Sequence, residues 1–246
     1  MAELLKFKNH LLSRMSPMDI GLVAPHLERH AMNARFQYEH PGRVVEYVYF
    51  IEEGLSSVLA LGRGDARVEA GLIGREGMSG IAVVMGSDRS VHATLVQVAG
   101  EGFRITSDSL RRAMNRSSSL RDLLIHYAHA FLIQVSYAAL ANSQATLEER
   151  LARWMLMAHD RLTGDLVLTH EFLALVLGVR RAGVTQALQH LESRGFVSPK
   201  RGSIAVTNRP GLEQFAHAIY GVPEAEYARL TGCSPSVHKA SGFVRA

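Results

Sequence analysis

LGVRRAGVTQALQHL, residues 177–191, sets two adjacent arginines and a glycine ahead of a run whose apolar residues recur at helical spacing. Val184, Ala187, Leu188 and Leu191 stand at i, i+3, i+4 and i+7, the pattern of one buried helix face, and Arg181, Thr185, Gln186 and Gln189 share the opposite face. Arg, Gln and Thr can present paired donors and acceptors to base edges, and arginines at a helix start can grip phosphate. By itself the segment fits two readings equally, a solvated surface helix or a helix that reads nucleic acid. Its flanks decide between them.

From Asp165 onward the order is a strand-like LVLT, a helix over HEFLALVL, a turn at Gly178, the helix just described, then GFV and SIAVT around a basic turn. Thr169 fits an N-cap, Gly178 a turn with positive φ, and Gly195 a C-cap. Helix, tight turn, helix and β hairpin make the plan of a winged helix-turn-helix, whose second helix enters the major groove of duplex DNA. The hairpin tip SPKRGS, residues 198–203, would set Lys200 and Arg201 against phosphate. Charge distribution agrees. Between Leu177 and Arg209 six basic residues stand against Glu192 alone, a larger excess than the +4 of all 246 residues, so the remainder is about neutral.

Upstream, residues 41–107 hold 11 of the 21 glycines, spaced between the β-rich runs VVEYVYFI, SSVLAL, ARVEAGLI, HATLVQV and FRIT. That rhythm predicts a β sandwich or barrel, with GRGD at 62–65 as a hairpin turn. Before it, SPMDIGLVAPHLERH predicts one or two short helices, with Ser16 as N-cap and Pro17 in the first turn. After Ser107 the pattern is helical through Leu162, with a break around Asn142 to Thr146. Leu120, Leu124, Tyr127, Phe131, Gln134, Ala138 and Ala141 lie near a seven-residue repeat, a face that could pack against its twin in a homodimer.

From Leu123 to Leu147 there is no Asp, Glu, Lys or Arg, which meets the length criterion for a membrane span. His126, His129, Gln134, Ser136, Asn142, Ser143 and Gln144 would be costly in hydrocarbon, and a helix buried on two protein sides is the reading preferred here. The opening MAELLKFKNHLLSRM lacks the apolar core and cleavage site of a signal peptide, and Cys233 is the single cysteine, so a cytoplasmic location without disulfides is expected.

THEFLALVLGVRRAGVTQALQHLESRGFV resembles the DNA-binding segment of the cyclic-AMP receptor and fumarate-nitrate-reduction (Crp/Fnr) regulators of bacteria, most of all rhizobial-type members with an LGVRRAGVT motif. RGSIAVTNRPGLEQFA continues the resemblance into the wing, and HPGRVVEYVYFIEEG and GREGMSGIAVVMGSDRS carry a weaker likeness in the N-terminal half. The resemblance implies an α+β fold in four parts. Residues 1–115 form N-terminal helices and an effector-sensing, cyclic-nucleotide-binding-like β roll (jelly roll), 116–160 a long dimerisation helix and hinge, 161–232 the winged helix-turn-helix, and 233–246 a flexible tail.

It also implies base reading by Arg180, Arg181, Thr185 and Gln186, and phosphate contact by Thr169, Gln189, Lys200 and Arg201. Double-stranded DNA, a second copy of the chain, RNA polymerase at promoters and a small-molecule effector are the implied partners. Ala182 stands where family members often carry a glutamate, and Gln186 where the cyclic-AMP receptor has arginine, so the DNA target should differ from the best-known family sites. The implied effector pocket holds Gly80, Ile81, Arg89, Ser90, Val135 and Ser136. Ile81 replaces the glutamate that takes the ribose hydroxyl in cyclic-nucleotide binders, which argues against cyclic AMP.

One cysteine excludes a cysteine-ligated iron-sulfur cluster, whereas 12 histidines leave haem open; HYAH at 126–129 puts two imidazoles on one helix face, but without a carboxylate and third ligand an interface hydrogen-bonding role is expected there and no metal site. Two competing functions follow from the β domain: a metal-dependent cupin-like enzyme, and a cyclic-nucleotide sensor without specific DNA readout. No catalytic motif supports the first, because His92 is followed by Ala93 and Thr94, and the Ser-x-x-Lys spacing of SVHK, residues 236–239, falls in the tail.

Overall fold

The computed structural model describes residues 6–64 and 66–237. Helices α1 (His10–Arg14) and α2 (Pro17–Val23) lead into strands β1 (Glu28–Met32), β2 (Gln37–Glu39), β3 (Tyr47–Ile51), β4 (Leu55–Leu61) and β5 (Arg67–Ile73). Helix α3 (Ile81–Val84) follows, then β6 (Ala93–Val98), β7 (Gly100–Thr106), α4 (Ser107–Arg116) and the long α5 (Ser118–Gln144). The C-terminal part comprises α6 (Leu147–Arg161), α7 (His170–Leu177), α8 (Arg181–Ser193), β8 (Val197–Lys200), β9 (Ser203–Val206), α9 (Arg209–Phe215) and α10 (Val222–Thr231).

The N-terminal strands form two antiparallel sheets, β1-β7-β3 and β2-β6-β4-β5, and a core drawn from both includes Met32, Tyr38, Tyr49, Ile51, Val58, Ile73 and Val96. Five of the seven strands match the apolar runs of the sequence; β1 and β2 do not. Glu28, Arg29 and His30, taken with the preceding helix in the sequence reading, belong to edge strand β1, where only Met32 is buried. The 62–64 segment joins β4 to β5 with Gly62 N–H donating to Ala66 O at 2.7 Å; Asp65 of the expected turn lies outside the described residues.

Helix boundaries follow local capping chemistry. Ser16 and Asp19 form a capping box at α2, Thr146 and Glu149 another at α6. Ser117 leaves helical geometry (φ −135°, ψ 117°) and accepts from Leu120 N–H, which divides the run expected to be continuous from Ser107 into α4 and α5. The second break falls at Ala145 and Thr146 as expected. LVLT does not form a strand: Leu166 makes a single bridge with Ile204, and Thr169 turns to cap α7.

Helix α5 settles against its own chain. Leu120, Leu124, Tyr127 and Gln134 of the expected twin-packing face are buried within the N-terminal part and against α10, and Ala141 in the core of the C-terminal module, so that face is not available to a partner. Leu72 N–H donates to Gln134 Oε1 at 2.6 Å and Gln134 Nε2 donates to Leu72 O at 3.3 Å, so one side chain satisfies the backbone of edge strand β5. The approach is close enough to require Gly71, where an added Cβ would stand 2.7 Å from Gln134 Oε1. By length and composition α5 could cross a membrane, yet this face is covered by protein. The large apolar side chains left outward are Ile125, Leu132 and Leu140, 46%, 59% and 40% exposed, with Ala139 seven residues after Leu132.

Candidate nucleic-acid interface and sensor cavity

Helix α8 buries Val184, Ala187, Leu188 and Leu191 against α6 and α7, the four residues singled out by periodicity. Thr169 accepts from Phe172 N–H at 3.1 Å to start α7, and Gly178 ends it at φ 65°, a left-handed turn that an L side chain rarely adopts. Burial of one face leaves Arg180, Arg181, Gln186 and Gln189 exposed on the other. Arg180 is the N-terminal cap residue and Arg181 the first helical one.

Several of these polar groups already have partners. Arg181 Nε pairs with Glu171 at 2.8 Å, Thr185 Oγ1 stands 3.0 Å from His170 Nδ1, and Lys200 Nζ pairs with Asp165 at 2.7 Å. Arg181 and Lys200 are both more than half exposed, so these ion pairs are weakly held and can exchange for phosphate or base. The wing β8-β9 carries Lys200 at the end of its first strand and Arg201 with Gly202 (φ 80°) at its tip. Helix, wing tip and the α7 N-terminus thus bring the predicted DNA contacts into one module.

That module is joined to the β roll by buried polar contacts. Trp154 Nε1 donates to Glu69 Oε1 at 2.7 Å, and Glu69 also accepts from Ser57 Oγ. Burial pushes the Glu69 carboxyl up to about 7 against the opposing pull of these two hydrogen bonds. Arg161 Nε meets Glu76 Oε1 at 2.7 Å with both side chains 3% exposed, and Tyr227 Oη on α10 donates to Glu76 O at 2.7 Å. Of the expected tail, residues 233–237 are described: Pro235 is buried and Val237 N–H donates to Asp160 O at 2.8 Å. Lys239 of the SVHK spacing lies outside the described residues.

Between the β roll and α5 opens a cavity of about 740 Å³. Gly80, Ile81, Arg89, Ser90 and Val135 of the expected pocket line it; Ser136 does not, being exposed and donating to Leu132 O at 2.9 Å. Its walls are chiefly apolar, with Val58, Ile73, Val84, Phe131 and Leu132 prominent. Glu39, Thr94 and His92 also border it, and nothing in their sequence context pointed to a site. Arg89 donates to Gly42 O at 3.0 Å and remains 60% exposed. Among the described residues no group of three His, Cys, Asp or Glu side chains is placed to hold a metal ion, and His126 and His129 are exposed.

The Crp-like helix-turn-helix domain family matches residues 149–215, from α6 through α9. Solved structures share the architecture at low identity. A protein described as a transcriptional regulator of the Crp/Fnr family from Eubacterium rectale superposes with a TM-score of 0.65 at 16% identity, covering 84% of this chain and 97% of its own. FixK2 from Bradyrhizobium japonicum gives 0.65 at 18% identity, over 79% of this chain and 98% of its own. The c-di-GMP-responsive global regulator CLP of Xanthomonas campestris gives 0.60 at 18% identity, over 78% and 99%. No curated protein sequence matches the chain significantly. The chain therefore carries a Crp-like helix-turn-helix domain on a Crp/Fnr-type fold, with the β roll and long helix expected from its sequence.

Proposed function

We propose that this protein is a cytoplasmic, homodimeric, sequence-specific transcription regulator of Crp/Fnr type, and not an enzyme. The observation that carries the reading is the outward face of α8, which presents Arg180, Arg181, Thr185, Gln186 and Gln189 within the segment matched as a Crp-like helix-turn-helix. Arg181 reads a guanine through paired donors to O6 and N7 once DNA displaces Glu171, with Arg180, Thr185 and Gln186 beside it. Thr169, Gln189, Lys200 and Arg201 hold phosphate and fix the register. The LGVRRAGVT motif favours a rhizobial-type member of the family.

A second copy packs on the outward stripe of α5, where Ile125, Leu132 and Ala139 recur every seven residues. This replaces the stripe containing Leu124 and Gln134, which the chain covers itself. Two-fold symmetry then sets two recognition helices for half-sites about one helical turn of DNA apart. An effector at the β roll acts by shifting the population between dimer arrangements that space these helices well or badly, with RNA polymerase as the downstream partner at promoters. Mapping bound DNA across a genome tests the reading: recovery of one two-fold-related sequence is expected, and enrichment without any shared sequence would refute it.

A further inference from the structure

We infer that the cavity between the β roll and α5 takes a lipophilic small molecule bearing a hydrogen-bond donor, an alcohol, phenol or N–H compound, at its inner end. The inference rests on the reading of the β roll as sensor and names the chemistry sensed. Most of the wall is hydrocarbon, and about 740 Å³ is ample for a drug-sized molecule. Glu39, Arg89, Ser90, His92, Thr94 and His129 interrupt it, and two of them are neighbours: Glu39 on β2 and Thr94 on β6 are cross-strand partners. Pairs placed directly across two strands point to the same face of the sheet.

Both are buried and incompletely partnered. Glu39 is 6% exposed; Oε1 accepts from Gly80 N–H at 2.9 Å, and among the described residues it has no ion pair. Thr94 is 1% exposed, and its Oγ1 has no hydrogen bond. A buried carboxylate with one donor is costly, and a ligand donor to its second oxygen would relieve that cost. The same carboxylate repels an anion at this end. Arg89, the cation that could neutralise a phosphate, is held by the Gly42 carbonyl at the solvent-exposed rim. A lipophilic donor fits this polarity; a cyclic nucleotide or a carboxylate does not. Ile125 and Leu132 belong to both the cavity lining and the outward stripe of α5, so an occupant touches the helix that forms the proposed dimer seam.

The test is a fluorescence titration of the full chain with N-phenyl-1-naphthylamine, a neutral aromatic N–H compound that brightens in apolar surroundings, followed by competition. Saturable binding of one probe per chain is expected. 1-Decanol (the alcohol) or 4-hexylphenol (the phenol) should displace it about tenfold better than decanoate, the value of one hydrogen bond to a charged acceptor. Cyclic AMP should not displace it. Glu39→Gln keeps an acceptor for Gly80 N–H but offers an amide donor to the cavity, and should erase the preference for decanol over decanoate. Ala82→Trp should narrow the cavity and weaken probe binding; if that variant does not fold, the wild-type competition and Glu39→Gln decide. Absence of saturable binding, displacement by decanoate or cyclic AMP as effective as by decanol, an unchanged preference in Glu39→Gln, or stoichiometric haem binding that expels the probe would each overturn the inference. Probe binding is read without DNA, so its failure is separate from a failure of sequence-specific DNA binding.

Discussion

The indole N–H of Trp154 donates to the buried carboxylate of Glu69 across 2.7 Å, and through that bond the first helix of the C-terminal module is fastened to an edge strand of the β roll. The β roll and the C-terminal module therefore share a buried polar joint as well as a helix.

The joint should titrate. Glu69 has its carboxyl raised to about 7 by burial, from an ordinary value of 4.5 when unfolded. Between those values the native state keeps a proton that the unfolded chain has released, so stability falls as pH rises from about 4.5 to 7. The loss is complete above pH 7 and is of order 3 kcal/mol. Glu69→Gln keeps the acceptor for Trp154 and turns the second bond round, its amide donating to Ser57 Oγ, and should flatten this slope, leaving the variant more stable than wild type at pH 8. Urea unfolding at a series of pH values measures it; parallel curves for the two proteins would contradict the assignment.

The Arg161–Glu76 pair, both side chains 3% exposed, predicts a cost for half a pair. Glu76→Gln leaves the guanidinium buried without its counter-charge and should lower stability by about 3–5 kcal/mol. Replacing both, as Arg161→Met with Glu76→Gln, should recover part of that loss in the same unfolding assay.

Leu132→Asp tests the dimer seam. Leu132 is 59% exposed, so the change should leave the fold intact by circular dichroism. Sedimentation equilibrium is expected to show a monomer at micromolar concentration, with weaker binding to a two-fold DNA site. The reverse substitution pattern, disruption by changes at Leu124 without unfolding, would point back to the covered stripe.

At the recognition helix, Arg181→Ala should cost about 1–3 kcal/mol at one base pair per half-site and relax preference there, as measured by fluorescence anisotropy on duplexes varied at that position. Glu171→Gln removes the carboxylate that competes with DNA for Arg181, so it should tighten binding to all duplexes, by a smaller amount at higher salt.

The C-terminal module was readable from sequence because its determinants are local. Thr169, Gly178 and the Val184 to Leu191 stripe each declare a cap, a turn or a face within a few residues. Strands β3 to β7 were equally plain, being apolar runs between glycines. Edge strand β1 was not, since Glu28 to Ala31 stay solvated or half-buried and carry no alternation. Helix α5 exposes the main limit: 25 uncharged residues from Leu123 announce burial but not which face meets what, and a buried Gln134 reads as a seam residue until β5 is seen beside it. For the cavity, Gly80, Ile81, Arg89, Ser90 and Val135 came from family likeness, whereas Glu39 and Thr94, separated by more than fifty residues, meet only through strand pairing.

The central claim, direct reading of DNA sequence by α8, is tested by the ratio of dissociation constants for an enriched two-fold duplex and a scrambled duplex of the same length at one fixed salt concentration. The account predicts a ratio of at least about 10³ that collapses on Arg181→Ala. A ratio near one, or a large ratio unaffected by Arg181→Ala, would contradict it.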